Sequence, residues 1–407
     1  MKLKSIVHEW ILFFLGALIV PLAGFGERDA APTKHPEDAR QTLARAAAYL
    51  WSKQSPDGSW RSETYGLLKS GQSLTPFILF VLSEVRSDMA PPPDGAVEKS
   101  MNFLRRMGNK NTIHGRADPD ILDYPNYATA YALRCFLRYG QEDDNTRIND
   151  LARYLVLQQF AEAAGFSPDS PAYGGWGFGI NRRPTLSSFV DLSHTRRVLA
   201  ALAEANKIDA KIKSRTLCFL SLLQKNPKEK RSPLIPTKSP IASGFIPPPY
   251  DGGFFSSPNI SYANKGRIAK DPLTGRPYYR SYATATCDGV LALLATGVPK
   301  TDDRVLDAVR WLERHSDWDL PQGIPAEHSE PWAESMIYYH CAARAQVFNQ
   351  LAIAEDWRRN LRIFLAERQN EDGSFLNPQG RLMKEDDPIL CSALALIALN
   401  HAAMGEG

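Results

Sequence analysis

Two kinds of apolar segment alternate along this chain. In the first kind, hydrophobic residues return at helical spacing with polar residues between them. Leu151, Tyr154 and Leu155 mark one such face. Segments of this kind lie at 37–53, 94–108, 143–160, 209–224, 302–315 and 355–369. The second kind is almost uniformly apolar and rich in small residues, as in "YATAYALRCFL", "YATATCDGVLALLATG" and "DPILCSALALIAL". These lie at 74–86, 125–139, 188–205, 281–297, 331–351 and 388–401. Four of the second kind open with a proline, at Pro76, Pro125, Pro331 and Pro388. The first helical turn tolerates proline because its N–H has no helical partner there. A helix apolar all round belongs inside, and an amphipathic one belongs at the surface. Six such pairs predict an all-α fold, a single (α/α)6 toroid over 37–407, with second helices inside first helices. Long loops are expected at 161–187 and 225–280, where proline and glycine cluster.

A phrase written twice fixes the register of the pairs. "QSPDGSW" occupies 54–60 and "QNEDGSF" occupies 369–375, each between a first helix and a second. Asp57 can bond the backbone that follows it, Gly58 suits a left-handed turn, and Trp60 can fold back as a clasp. Gln54 can reach exposed carbonyls or the start of the next pair. "YGGWGFG" (173–179) and "DGGFF" (251–255) carry the Gly-aromatic half alone. The expected role is a staple between adjacent hairpins.

Gln-x3-Gly-x-aromatic after an outer helix resembles the QW repeat of the squalene–hopene cyclase and protein prenyltransferase superfamily. Gln54, Gly58 and Trp60 match it fully; Gln369, Gly373 and Phe375 match it with Phe for Trp. "DLSHT", "DGGF" and "SYATATCDGVLALLATGV" are similar to segments of exported bacterial proteins with prenyltransferase and squalene oxidase repeats. The resemblance implies the toroid over nearly the whole chain, and says little of chemistry.

The motifs that carry chemistry in such families are not matched. Class II terpene cyclases use Asp-x-Asp-Asp-Thr, and a carboxylic acid held neutral, to protonate an alkene. The nearest stretch here, "DPDILDY" (118–124), spaces Asp118, Asp120 and Asp123 differently and reads as turn and cap acids. Prenyltransferases bind zinc through Asp-x-Cys and a histidine. Here Cys287 and Asp288 are adjacent, about 100° apart on a helix, although His340 is placed correctly. The Cys-Gly-Glu-Gln signature of complement-type thioester domains is absent. No cofactor or metal is expected.

Composition narrows the class further. Of 407 residues 43% are hydrophobic, enough for a large core, and the formal charge of +3 with no long basic block argues against nucleic acid. The most basic stretch, 225–238, is proline-rich and reads as a solvated loop. At the N-terminus two lysines precede "ILFFLGALIVPLAGF", with Gly24 and Gly26 at a cleavable position. Residues 1–26 are expected to be a signal peptide and 27–36 a linker, giving an exported protein without a membrane span after cleavage. An uncleaved anchor is the alternative. Cys135, Cys218, Cys287, Cys341 and Cys391 all fall in apolar helical runs and read as buried small hydrophobes.

The candidate site is therefore taken from polar residues of the inner helices. Asp191 and His194 share a helix face, so the acid can fix the imidazole tautomer; equally, they read as a cap and a loop contact. Glu334, His340 and Asp288 complete the catalytic candidates. Glu330 and Asp387, each preceding a proline, read as N-caps first. Tyr127, Trp176, Phe178, Asp251, Tyr282, Trp332 and Tyr338 are candidates for ligand contact, and Tyr339 for the cavity wall. The cavity is expected at the end where second helices begin. The leading expectation is a cavity for a small-molecule or lipid ligand, apolar or amphiphilic. A carbohydrate-active enzyme using paired carboxylates and a scaffold for a protein partner are the alternatives. A cavity lined by aromatics favours the first.

Overall fold

The computed structural model describes residues 39–107, 124–179, 189–236, 248–353 and 356–403. The expected signal peptide, the linker and the acids of "DPDILDY" lie outside them. Six outer helices are α1 (Ala39–Ser52), α3 (Ala96–Met107), α5 (Asn145–Leu157), α7 (Ala210–Leu223), α9 (Asp303–Arg314) and α11 (Trp357–Arg368). Six inner helices are α2 (Leu74–Ser83), α4 (Pro125–Tyr139), α6 (Leu192–Glu204), α8 (Ala283–Ala295), α10 (Ile337–Gln350) and α12 (Pro388–Ala403). The one sheet among the described residues is a hairpin of β1 (Ile268–Lys270) and β2 (Pro277–Tyr279), paired antiparallel with Ile268 opposite Tyr279.

Each inner helix packs on the next, α2 on α4, α4 on α6, then α8, α10 and α12, and α12 returns to α2. The ring is closed. The reason is visible in the sequence: α2 buries nine consecutive residues from Leu74 to Leu82, and α8 buries eleven from Ala283 to Leu293. Neither has a polar face to give to water. Outer helices bury a stripe only, as α9 does with Val305, Ala308, Trp311 and Leu312.

The repeated phrase is a staple, and among the described residues the same hydrogen-bonded unit occurs four times. Gln54 Nε2 donates to Ala96 O at 2.9 Å and Ser100 Oγ at 2.7 Å, both on the next outer helix. Trp60 is fully buried; its Nε1 donates to Leu50 O at 2.6 Å, and its backbone N–H donates to Thr75 Oγ1 at 3.0 Å. Gln369, Phe375 and Ser392 repeat this arrangement. The two Gly-aromatic phrases prove to have their glutamines as well. Gln159 reaches Gly174 O at 3.1 Å, and Gln224 reaches Gly252 O at 3.0 Å and Arg304 O at 2.8 Å. Trp176 and Phe254 then donate their backbone N–H to Thr195 and Thr286. Chain inserted between glutamine and glycine hides the spacing. The spatial unit is unchanged.

Three expectations need correcting. Pro331 does not open α10, which starts six residues later at Ile337, and Glu330 is no cap: it accepts from Trp332 Nε1 at 2.9 Å. The N-terminus of α10 is capped from the next hairpin by Glu385, which accepts from the backbone of Tyr338 at 3.1 Å and Tyr339 at 2.7 Å. The basic stretch is not wholly solvated. Lys225 is buried with its Nζ 2.9 Å from Asp251, and Arg231 donates to Ser170 O and pairs with Glu229. Asp387 does cap α12, accepting from Ile389 and Leu390 at 3.0 Å each. All five cysteines are free, four of them buried and Cys218 half-buried. No described helix is long and apolar enough to cross a membrane.

Candidate functional site

A chamber of about 300 Å³ opens at the end of the ring where inner helices begin. All six inner helices or their entry segments line it, among them Leu74 and Phe77 of α2, Tyr127 of α4 and Leu390 and Leu394 of α12. The loops add Phe178 and Phe189 from one side and Tyr262, Ala263 and Lys265 from another. The wall is mainly aliphatic and aromatic, in keeping with the segments that supply it.

Asp191 is the N-cap of α6 and accepts from His194 N at 2.7 Å. The same carboxylate lies 3.0 Å from His194 Nδ1. Both readings of this pair therefore hold together: cap and imidazole partner. A carboxylate on Nδ1 keeps a proton there and leaves Nε2 as the free ring nitrogen. His194 is 7% exposed, and its Nε2 is buried with no partner among the described residues. Around the imidazole stand Phe178 at 4.8 Å, Tyr127 at 5.8 Å, Phe189 at 6.0 Å and Tyr124 at 6.3 Å between ring centroids.

Asp288 lies deeper and bridges helices. It forms an ion pair with Arg196 Nε of α6 at 2.8 Å and accepts from Tyr339 Oη of α10 at 2.6 Å. Arg197 lies over the Tyr127 ring at 4.6 Å and donates to Tyr339 Oη at 3.1 Å and Ser193 Oγ at 3.0 Å. Burial pushes the Tyr339 hydroxyl up to about 12 and raises that of Tyr127, so both stay neutral donors. Tyr282 precedes α8 as its N-cap residue and donates to Ala263 O at 3.3 Å, tying the loop to the ring.

Of the sequence candidates, Asp191, His194, Asp288, Tyr127, Phe178, Tyr282 and Tyr339 meet in this chamber. The others do not. His340 is fully buried outside it, its Nε2 2.8 Å from Asp317 O, and burial lowers its pKa to about 3. Glu334 lies in a short 3-10 turn before α10, where its carbonyl accepts from Asn377. Tyr338 packs edge-on to Phe375 at 5.7 Å. Its neighbour Tyr339, about 100° further round the helix, is the one that faces the chamber. Trp176 is a staple residue, Asp251 holds Lys225, and Trp332 lies behind Lys265, whose Nζ is 3.3 Å from its ring centre. Sequence reading missed Lys265, Lys384 and Arg196. Arg196 shares α6 with His194, but two positions on it points to another face, so spacing did not flag it. The lysines had no signal, because loops that bring them to the mouth have no period.

Among the described residues no cluster of three His, Cys, Asp or Glu could hold a metal ion. No protein-family model matches the chain, and no curated protein matches it in sequence. Solved structures do match in shape. A variant of the type II terpene cyclase MstE from Scytonema, in complex with geranylgeranyl dihydroxybenzoate, aligns at TM-score 0.53 and 13% identity over 89% of this chain and 97% of its own. The GH76A alpha-1,6-mannanase of Salegentibacter sp. HEL1_6 aligns at 0.51 and 12% over 90% and 98%. A protein from Actinoplanes aligns at 0.51 and 15% over 90% and 100%. The chain has the (α/α)6 toroid fold. Identity this low carries the fold alone, and the squalene–hopene cyclase resemblance stands at that coarse level.

Proposed function

We propose that this protein is an exported, terpenoid-cyclase-like toroid that binds an apolar or amphiphilic ligand of isoprenoid type in its central chamber. The observation that carries the reading is the chamber wall: Leu74, Phe77, Tyr127, Phe178, Phe189, Leu390 and Leu394 enclose a space of about 300 Å³. That size and lining suit one hydrocarbon chain or a small ring system. The chemistry on offer is proton transfer at His194 Nε2, with Asp191 holding the other nitrogen. Export rests on the N-terminal sequence, and the QW-type reading on the four staples.

A sugar-cleaving role would need two carboxylates free to act across the cleft. Asp191 and Asp288 both line the chamber, but each is already engaged, by His194 and by Arg196 with Tyr339. That argues against the mannanase-like alternative. The test is extraction of detergent-free protein followed by mass spectrometry. A hydrocarbon-bearing species near one per chain is expected, and Leu390→Trp, which fills the chamber, should remove it. An oligosaccharide, or a lipid retained by the filled variant, overturns the reading.

A further inference from the structure

The chamber is apolar within, and its two lysines are not in ion-pair contact with its two acids. Two lysines line it, Lys265 and Lys384. Among the described residues Lys265 Nζ donates to Tyr262 O, at 2.8 Å, and lies on the Trp332 ring. Lys384 Nζ lies 5.6 Å from the ring centres of Tyr65 and Tyr124. Its backbone is left-handed, with φ of +62°, a conformation that a lysine adopts when its surroundings impose it. Neither ammonium has a carboxylate in ion-pair contact among the described residues. The two acids of the chamber are committed elsewhere: Asp191 to His194, Asp288 to Arg196 and Tyr339.

A third group points the same way. His194 Nε2 is buried, unpartnered and on the chamber wall. With Nδ1 taken by Asp191, Nε2 is the ring nitrogen left to meet a polar group of a ligand. Tyr124 links this group to the second lysine, since its ring stacks on His194 and lies under Lys384. Burial has already lowered the Lys265 pKa to about 8, so an anion brought beside it would recover part of what desolvation cost. N-termini of inner helices at the same end add positive potential.

We propose that the ligand is an amphiphile with one compact anionic head, a carboxylate or a phosphate monoester, held at the mouth by Lys265 and Lys384 with its tail in the chamber. This rests on the apolar-ligand reading and adds the head to it. The space of about 300 Å³ suits a single tail.

Three probes share a tail and differ in head: farnesol, farnesoic acid and farnesyl monophosphate. Calorimetry with the full chain should find at least one acid bound about tenfold or more tighter than farnesol. Whichever acid binds tighter names the head. Lys265→Met and Lys384→Met should each weaken that acid about tenfold and leave farnesol unchanged. Lys265→Arg should recover most of the loss, which separates charge from folding. If farnesol binds as tightly as both acids, or both Met variants bind the acids normally, the anionic head is wrong and the apolar reading survives. If none of the three binds, the apolar reading falls with it.

Discussion

Glu385 shows how a single side chain can serve as an element boundary. It is almost completely buried and accepts backbone N–H groups at the start of α10 together with Asn377 Nδ2 at 2.9 Å. Those bonds favour the charged form, but burial outweighs them and raises the carboxyl to about 7. An acid with its folded pKa above 4.5 binds more protons folded than unfolded, so its contribution to stability falls as pH rises from about 4.5 to 7. The size is roughly 3 kcal/mol for a shift of this order. His340 and His401, lowered by burial to about 3 and 4, act oppositely and destabilise as pH falls below 6.5. Comparing Glu385→Gln with the unmodified protein cancels the histidines. The variant should gain in relative melting temperature by several degrees between pH 4.5 and 8. A difference that does not change with pH would show that the carboxyl titrates normally.

At the scale of elements, helices were the legible part. Apart from the start of α10, every inner and outer helix lies within a few residues of its sequence pattern, because burial on one stripe or all round leaves a periodic trace. Starts were less legible. Pro331 mimics the start signal of Pro125 and Pro388, yet the true cap of α10 comes from a residue 48 positions on from the first helical one. The site was half legible for the same reason. Asp191, His194 and Asp288 ride on helices, whereas Lys265 and Lys384 depend on loop paths that no period encodes. The staples show the limit most clearly: Gln159 and Gln224 bond as Gln54 does, but inserted chain separates them from their glycines. Trp60→Ala and Phe375→Ala should each cost about 3–5 kcal/mol, since both rings are fully buried. Gln159→Ala should destabilise about as much as Gln54→Ala, near 1–3 kcal/mol, despite lacking the sequence motif. Denaturant unfolding decides this. A neutral Gln159→Ala would mean that the long insertion had released the staple.

For the whole molecule, the question is whether the ring is a closed structure or a curved stack that happens to meet itself. A stack draws its stability from neighbours in sequence, and its end repeats matter least. Here the ends are joined by the same device used between neighbours. Gln369 Nε2 donates to Thr42 O at 2.8 Å, and Arg45 Nη2 donates to Asn370 O at 2.9 Å and Glu371 O at 2.7 Å. Gly373, with φ of +88°, sits where a Cβ would lie 2.5 Å from Arg45 O. Behind this seam α1 packs on α11 and α12, and α12 on α2, burying inner faces that would otherwise meet water. Gly373→Ala therefore carries a left-handed backbone cost of about 1–2 kcal/mol plus an overlap with a helix from the other end of the chain. We expect it to lower the melting temperature of the entire domain in one transition, as much as Gly174→Ala does in mid-chain. Amide exchange should quicken in α1 and α11 together, and beyond them in α2 and α12. If instead only the last helix pair loosens while the melting temperature holds, the seam is a passive contact. The toroid would then be stabilised as an open arc.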